Sequence, residues 1–367
     1  MTATIQKTDE HRNPTPERRY FAASNSCRGF VSYYPACFGA ENGVEKLYII
    51  KGGPGTGKSR LMRDVADYAV ARGADVTYYY CSSDPASLDG VILTGKGRRI
   101  ALVDGTFPHV CEPVIPGVRE ELINLGSFWN TALLDQHASE ICRLSHKKSA
   151  AYTRAYRYLA ACGEMRAVAD GRMAECVKRD KLDALAERLL RDQPMGNGFS
   201  EIPALRRAVG MTGACSFDTF ERETKRLVVL SDYYGVAFRL TAALRERSRA
   251  RRLRMLVSYD PVCPDRIDGI FYPDTGFCIM VEESDPSAAP DRVISMRLYV
   301  DAQAMRAVRS DVRDALRLSD QLCEGAIRSL SCAADSHFAL EGLYSDAMDF
   351  TAKEAYTARL CRAVWES

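Results

Sequence analysis

The sequence predicts an α/β protein made of two three-layer α/β/α lobes, each with a mainly parallel sheet and helical insertions. Short apolar runs alternate with longer helical patterns along the chain, which is typical of strands joined by crossover helices. The order of these runs in the first half recurs in the second half, as expected of a tandem duplication. A chain of 367 residues is also longer than a single core usually sustains.

The clearest motif is KGGPGTGKS at residues 51–59, which follows an apolar run and precedes a helical pattern. Gly52, Gly57, Lys58 and Ser59 satisfy the spacing G-x-x-x-x-G-K-S/T. A strand that enters a glycine-rich turn and leaves through a helix N-terminus aims backbone N–H groups and the helix dipole at a phosphate. The sequence therefore predicts a P-loop and a P-loop NTPase-like first lobe.

This loop predicts ATP and Mg²⁺ as cofactors. Lys58 is expected to contact the β- and γ-phosphates, and the Ser59 hydroxyl to coordinate Mg²⁺. The alternative is a glycine-rich turn with an exposed lysine. The residues predicted to bind the nucleotide are Gly53, Pro54, Gly55, Thr56, Gly57, Lys58, Ser59 and Arg60.

Two further apolar runs end on carboxylates. The run at residues 99–104 ends on Asp104, which suits a Walker B residue that holds Mg²⁺ together with Ser59. A run at residues 76–83 leads to Asp84, which we expect at the same sheet edge. Lys58, Asp104 and Asp84 are therefore the predicted catalytic residues.

The general base is not assigned by the sequence, because Gly105 stands after Asp104, where many ATPases carry a glutamate. Asp84, Asp89 and His109 are candidates, although each also suits a structural role. His109 and Cys111 are close enough in sequence to suggest a metal site, but the absence of a second ligand pair disfavours it.

The duplication aligns the second half with the first and predicts that its lobe is degenerate. The predicted pairings are Leu47 with Leu227, Arg60 with Arg239, Asp89 with Asp268, and Asp104 with Glu282. The second loop, SDYYGVAF at residues 231–238, has one glycine and lacks the Lys-Ser pair. We expect no nucleotide there.

The second half also carries an arginine stripe: Arg245, Arg249 and Arg252 lie on one predicted helix face. One of them would suit an arginine finger for the first site, and the stripe would also suit nucleic-acid phosphates. A solvated helix face is favoured over both. Nucleic acid is therefore not the expected partner.

Punctuation and composition predict the domain limits. Residues 1–18 are expected to be disordered, 19–200 to form the P-loop domain with its helical insertion, and 201–367 the degenerate repeat with C-terminal helices. The net charge of +2 gives no reason to expect a polyanionic partner for the whole surface. No apolar run approaches a membrane span, and the 13 cysteines include no CxxC pair, so a cytoplasmic protein without a membrane partner is expected.

Four segments together resemble a family of bacterial predicted tandem P-loop ATPases, mainly from Firmicutes, whose physiological role is unassigned: LYIIKGGPGTGKSRLM, SSDPASLDGV, VDGTFPHVCEPVIPGV and INLGSFW. The resemblance covers nearly the whole chain and implies ATP binding, but it implies little about a substrate. Members of that family are pictured with a lysine-bearing loop in both halves. This chain departs from that pattern at residues 231–238.

Three functions follow as expectations. The favoured one is an Mg²⁺-dependent ATP hydrolase with one active site in the first lobe. The second is a kinase for a nucleotide or small metabolite, with an acceptor pocket formed by residues 106–117 or by the helical insertion. Its lid arginines would be among Arg98, Arg99 and Arg119. The third is an ATP-gated module that binds a protein or nucleic-acid partner.

Overall fold

The computed structural model describes residues 17–282 and 289–366. Residues 1–16 of the segment predicted to be disordered lie outside the described residues. The strands, in chain order, are β1 (Arg18–Phe21), β2 (Ala23–Ser26), β3 (Gly29–Ser32), β4 (Lys46–Lys51), β5 (Asp75–Tyr80), β6 (Leu88–Gly95), β7 (Arg98–Asp104), β8 (Glu120–Asn124), β9 (Ser200–Pro203), β10 (Arg207–Gly210), β11 (Gly213–Ser216), β12 (Arg226–Ser231), β13 (Arg254–Tyr259), β14 (Ile267–Tyr272), β15 (Phe277–Glu282) and β16 (Arg292–Ser295).

The helices of the described residues include two very long ones, α4 and α8. In chain order they are α1 (Tyr34–Phe38), α2 (Lys58–Val70), α3 (Thr131–Gln136), α4 (Ala138–Ala174), α5 (Arg179–Leu190), α6 (Thr219–Glu223), α7 (Val236–Ala250), α8 (Ala302–Asp346) and α9 (Phe350–Glu366). Short 3₁₀ turns follow β8 and β16. In the described part of the chain, no helix combines the length and apolarity that a membrane crossing requires.

The two six-stranded sheets have the same strand order. The first runs β1-β5-β6-β7-β4-β8, and the second runs β9-β13-β14-β15-β12-β16. Within each sheet only one strand, β6 or β14, is antiparallel to its neighbours. A two-stranded hairpin, β2–β3 or β10–β11, accompanies each sheet. The prediction of an α/β protein with two mainly parallel sheets is therefore confirmed.

The central strands explain why the apolar runs are continuous rather than alternating. Leu47, Tyr48, Ile49 and Ile50 on β4 are all buried, because layers of structure cover both faces of the sheet. Their counterparts on β12 are buried in the same way.

Equivalent residues occupy equivalent places in the two sheets. Asp89 and Asp268 are each the second residue of their strand, β6 or β14. Asp104 and Glu282 are the last residues of β7 and β15. These pairings match those predicted from the repeat.

One predicted pairing is shifted by a residue. Helices α2 and α7 both follow a glycine in the left-handed conformation, Gly57 with φ 77° and Gly235 with φ 85°. Arg60 is therefore the third residue of its helix, whereas Arg239 is the fourth of its own. The second loop is shorter than the first. For this reason the pairing of Arg60 with Arg239 is displaced by one residue.

The two halves of the chain exchange helices. Leu182, Leu185 and Leu189 of α5 pack in one core with strands of the second sheet. In return, Leu360 and Val364 of α9 pack in one core with strands and α2 of the first lobe.

Two isolated bridges mark the crossings, Trp129 with Met348 and Val177 with Val300. Helices α4 and α8 pack against each other between the lobes. The domain boundary at residues 200/201 stays a prediction, and each lobe contains a helix from the opposite half of the chain.

Candidate functional site

The predicted P-loop lies at the carboxyl end of β4, the strand that runs between β7 and β8. Gly55 has φ 68° and Gly57 has φ 77°, a left-handed conformation that favours glycine. The buried Thr56 donates its hydroxyl proton to the Gly53 carbonyl at 2.9 Å. The loop is thus held in a tight turn that leads directly into helix α2.

Lys58 and Asp104 meet at this edge of the sheet. The Lys58 ammonium donates to the carbonyls of Gly52 and Gly53 at 3.1 and 2.7 Å and lies 3.5 Å from Asp104 Oδ2. Both side chains are 12% exposed, so their charges act on each other with little solvent between them. The lysine is folded over the loop that it is predicted to serve.

Ser59 and Asp104, the two predicted Mg²⁺ ligands, offer only oxygen atoms. Asp104 Oδ1 accepts from the backbone and the hydroxyl of Thr106 at 2.9 and 2.6 Å, while Oδ2 faces Lys58. Ser59 Oγ accepts from the Leu88 backbone N–H at 2.9 Å. A carboxylate and a hydroxyl beside the loop fit Mg²⁺, which prefers oxygen ligands.

Asp84 has a structural task in the turn between β5 and β6. Its carboxylate accepts from the Ala86 backbone N–H at 3.3 Å and from the Ser87 hydroxyl at 2.9 Å. It is buried, and its charge acts on ionisable groups of helix α8. Asp84 is therefore both a turn cap and a neighbour of the helix that covers the loop.

The end of α8 and the start of α9 cover the P-loop from above. A Cβ atom at Gly53 would lie 3.0 Å from the Tyr344 ring, and one at Gly55 would lie 2.2 Å from the Glu341 carbonyl oxygen. A Cβ at Gly57 would lie 3.2 Å from Nζ of Lys353, a buried residue whose pKa is lowered by burial. The glycines thus permit the second half of the chain to close over the first site.

Three ionisable residues of the long helices face this site, and the sequence analysis did not find them. Burial lowers the pKa of Lys148 on α4, with the Lys58 charge acting in the same direction. Burial raises the pKa of Glu341, and Asp84 adds to that shift. Burial also lowers the pKa of His337, whose Nε2 lies 3.5 Å from Glu341 Oε1. The site is therefore built from both halves of the chain.

Beside the P-loop lies a second group, formed by Cys81, Asp89 and His109. His109 Nε2 is 3.1 Å from Asp89 Oδ2, and both residues are buried. Burial raises the pKa of Asp89 to about 6, the His109 charge opposes this shift, and Asp104 adds to it. Asp89 and His109, two of the candidate bases, thus lie together. The cysteine beside them is Cys81, and not Cys111, which the sequence suggested as a partner of His109 in a metal site.

In the second lobe, a side chain of the loop at residues 231–238 binds the backbone of that same loop. The Asp232 carboxylate accepts from the backbone N–H groups of Gly235 and Ala237, both at 2.7 Å. These donors belong to the N-terminal end of α7, where a phosphate would otherwise be attracted. The Asp232 carboxylate therefore occupies the N-terminal end of α7.

At the sheet edge of the second lobe, arginines take the positions that Lys58 and His109 have beside the carboxylates of the first lobe. Arg206 Nη1 is 2.8 Å from Glu282, and Arg207 Nη2 is 2.6 Å from Asp268. The two carboxylates that correspond to Asp104 and Asp89 are thus neutralised by the protein itself.

We expect Asp232→Ala to lower the free energy of unfolding by about 1–3 kcal/mol, because it leaves two partly buried N–H donors unpaired. Urea unfolding of both proteins measures this change. Asp314→Ala is the matched control, since Asp314 is an exposed α8 residue with a 3.5 Å arginine contact. Equal stabilities of the two variants would contradict the self-filled loop.

The arginine stripe makes contacts inside the second lobe. Arg245 Nε donates to Glu201 at 2.8 Å, and the Arg249 guanidinium lies over the Phe199 ring at 5.0 Å. Helix α7 ends at Ala250, and Arg252 lies beyond it with φ 55°, so the prediction that Arg252 shares a helix face with the other two is wrong. These contacts favour a structural role over an arginine finger.

The features proposed for a kinase acceptor site are also mainly structural or solvent-exposed. Arg119 forms a 2.6 Å ion pair with the buried Glu120, and burial lowers the pKa of Arg99. In the segment at residues 106–117, Phe107 is 88% exposed and Val114 is 80% exposed.

One family model matches part of the chain. It is that of Nephrocystin 3, N-terminal, and it aligns with residues 39–91, which contain the loop and helix α2. The match spans far less than half of the chain, so it does not assign the chain to that family. Neither the curated proteins nor the solved structures give a match. The resemblance to bacterial tandem P-loop ATPases stays an expectation, with which this partial match does not conflict.

Proposed function

We propose that the chain is an Mg²⁺-dependent ATP hydrolase whose single nucleotide site is the P-loop of the first lobe. The observation that carries the proposal is the meeting of Lys58 and Asp104, 3.5 Å apart at the carboxyl ends of β4 and β7, beside a glycine loop that opens helix α2. Phosphoryl transfer depends chiefly on charge neutralisation and alignment, and these residues supply both.

Each residue then has a task in binding Mg-ATP. The loop N–H groups and the start of α2 hold the phosphates, and Lys58 leaves the carbonyls of Gly52 and Gly53 to contact them. Ser59 and Asp104 would hold Mg²⁺, which would supply positive charge to the bound phosphates. Lys148 of α4, whose pKa is lowered by burial and by the Lys58 charge, is a second basic group near the site.

Helix α8 links this site to the rest of the molecule. Because Gly55 abuts the backbone of Glu341, a bound nucleotide that moves the loop must also move the end of α8. Helix α8 packs along α4, so the displacement is passed to the helix pair between the lobes. We propose that hydrolysis changes the packing of this pair.

The same cover favours a second candidate, an ATP-gated module that turns ATP over slowly. A loop closed by Tyr344, Glu341 and Lys353 exchanges nucleotide only when the helix end lifts. In that case a partner that holds α8 away from the loop would control the site.

We expect one ATP to bind per chain in the presence of Mg²⁺, because the second loop is filled by Asp232. Isothermal titration of the full chain measures the stoichiometry, with Lys58→Ala as the weakened variant and Lys96→Ala as the control. Lys96 lies in the turn between β6 and β7 and donates to the Trp365 carbonyl at 3.1 Å.

The outcomes separate the candidates. Lysine-dependent binding with phosphate release supports the hydrolase, and binding without release supports the gated module. Two ATP molecules per chain would overturn the assignment of a single site, and a failure to bind Mg-ATP would overturn the function.

A further inference from the structure

A mixed-ligand cluster lies beside the P-loop and has no task in the proposed hydrolysis. Cys81 follows β5, Asp89 is the second residue of β6, and His109 lies in the segment after β7. One ligand atom from each of these side chains lies within 4.8 Å of the other two. Within residues 17–282 and 289–366, no other group of three or more such side chains meets this geometry.

The fold brings these residues together at one sheet edge. Strand β6 runs antiparallel to β5 and β7, so it starts where they end. The turn between β5 and β6 is fixed by the Cys81 N–H, which donates to the Ser87 carbonyl at 2.9 Å. The loop after β7 then returns His109 to the same edge, where Nε2 approaches Asp89 Oδ2 to 3.1 Å.

The donor set is that of a transition metal rather than Mg²⁺. A thiolate, an imidazole and a carboxylate are the usual protein ligands of zinc, whereas Mg²⁺ prefers oxygen alone. Ligands at about 2.0–2.3 Å from a tetrahedral zinc ion lie roughly 3.5 Å apart, so ligand atoms within 4.8 Å of one another need to approach by no more than about 1 Å. The Asp89–His109 pair is already at that spacing.

The surroundings hold the imidazole in place and leave one nitrogen without a partner. His109 is 6% exposed, and its Nδ1 has no hydrogen-bond partner in the described structure. Its ring stacks on Tyr34 at 4.9 Å with an interplanar angle of 8°, and Phe30 packs edge-on at the same distance. Ring packing therefore holds the His109 imidazole in place, with Nε2 beside the Asp89 carboxylate.

We propose that Cys81, Asp89 and His109 bind a divalent transition-metal ion of the zinc class, with a fourth coordination position open to water. Three protein ligands and one open position are typical of zinc sites that are not purely structural. The bound ion would join the end of β5 and the start of β6 to the segment that follows Asp104. This proposal does not depend on nucleotide binding.

Metal titration of the full-length protein, after removal of metal by a chelator, tests the proposal. We expect one Zn²⁺ per chain by elemental analysis, and Co²⁺ in its place should give the absorption band of a thiolate-to-cobalt charge transfer. Cys81→Ser should abolish the band. It should also weaken Zn²⁺ binding by more than about 10–100-fold, which is the usual effect of losing a residue that only contacts a ligand.

Cys111→Ser is the matched control. Cys111 lies two residues from His109 in sequence but outside the cluster, and it is also a partly exposed cysteine. It should leave both the band and the stoichiometry unchanged. His109→Gln is the second ligand variant, and it serves if Cys81→Ser does not fold as judged by circular dichroism.

Two results would overturn the site. One is a wild-type protein that gives no cobalt–thiolate band and retains no stoichiometric Zn²⁺. The other is a band that is lost in Cys111→Ser but kept in Cys81→Ser or His109→Gln. Mg-ATP binding measured on the same samples keeps the two proposals apart, since either can fail while the other holds.

Discussion

Alanine at Lys58 is expected to lower the rate of Mg-dependent phosphate release by about 10²–10³-fold, the usual effect of removing one preorganised charge-stabilising group. The ammonium lies at the mouth of the loop, against Asp104, where charge develops on the transferred phosphoryl group. Single-turnover release of labelled phosphate measures the rate apart from nucleotide exchange.

Two variants sharpen this test. Lys58→Arg keeps the positive charge but carries it on a larger, planar group, so its rate of phosphate release should remain well below that of the wild type. Lys96→Ala lies away from the loop and should release phosphate at the wild-type rate. Equal rates for wild type and Lys58→Ala, with or without a partner present, would remove the hydrolase proposal.

Arg206→Ala is expected to lower the free energy of unfolding by about 3–5 kcal/mol, because removing one partner of a buried ion pair leaves an uncompensated charge. Arg206 is 3% exposed, pairs with Glu282 at 2.8 Å and donates to the Val281 carbonyl at 2.9 Å. Its Nε also lies 3.8 Å from Asp268, a residue that is completely buried. Urea unfolding followed by circular dichroism measures the change.

Arg226→Ala is the control for that measurement. Arg226 is half exposed and meets Asp192 at 3.5 Å, a surface pair worth about 0–1 kcal/mol. If the two variants lost similar amounts of stability, the charged cluster of the second lobe would not be a stabilising substitute for a ligand.

The sequence was most informative where structure depends on near neighbours. The turn at residues 52–57 needs glycines in the left-handed conformation and the start of a helix. The glycine spacing and the helical pattern that follows predict both. Asp104 was predictable because a buried strand delivers its last residue to the sheet edge. The repeat was predictable because both sheets keep one strand order.

The missed features depend on contacts between distant parts of the chain. Lys148, His337 and Glu341 lie on long helices whose patterns show that one face is buried but not which surface covers it. Proximity in sequence was also misleading for Cys111. Its carbonyl accepts from Lys51 at 2.9 Å, whereas Cys81, much earlier in the chain, joins His109.

The helix exchange makes the first lobe depend on the second half of the chain. Helices α5 and α9 each follow the long helix of their own half, and each completes the core of the opposite lobe. This is the arrangement of a domain-swapped dimer, in which two copies exchange an equivalent element, here within one chain. The second half of the chain therefore cannot be removed without loss of the helix that completes the core of the first lobe.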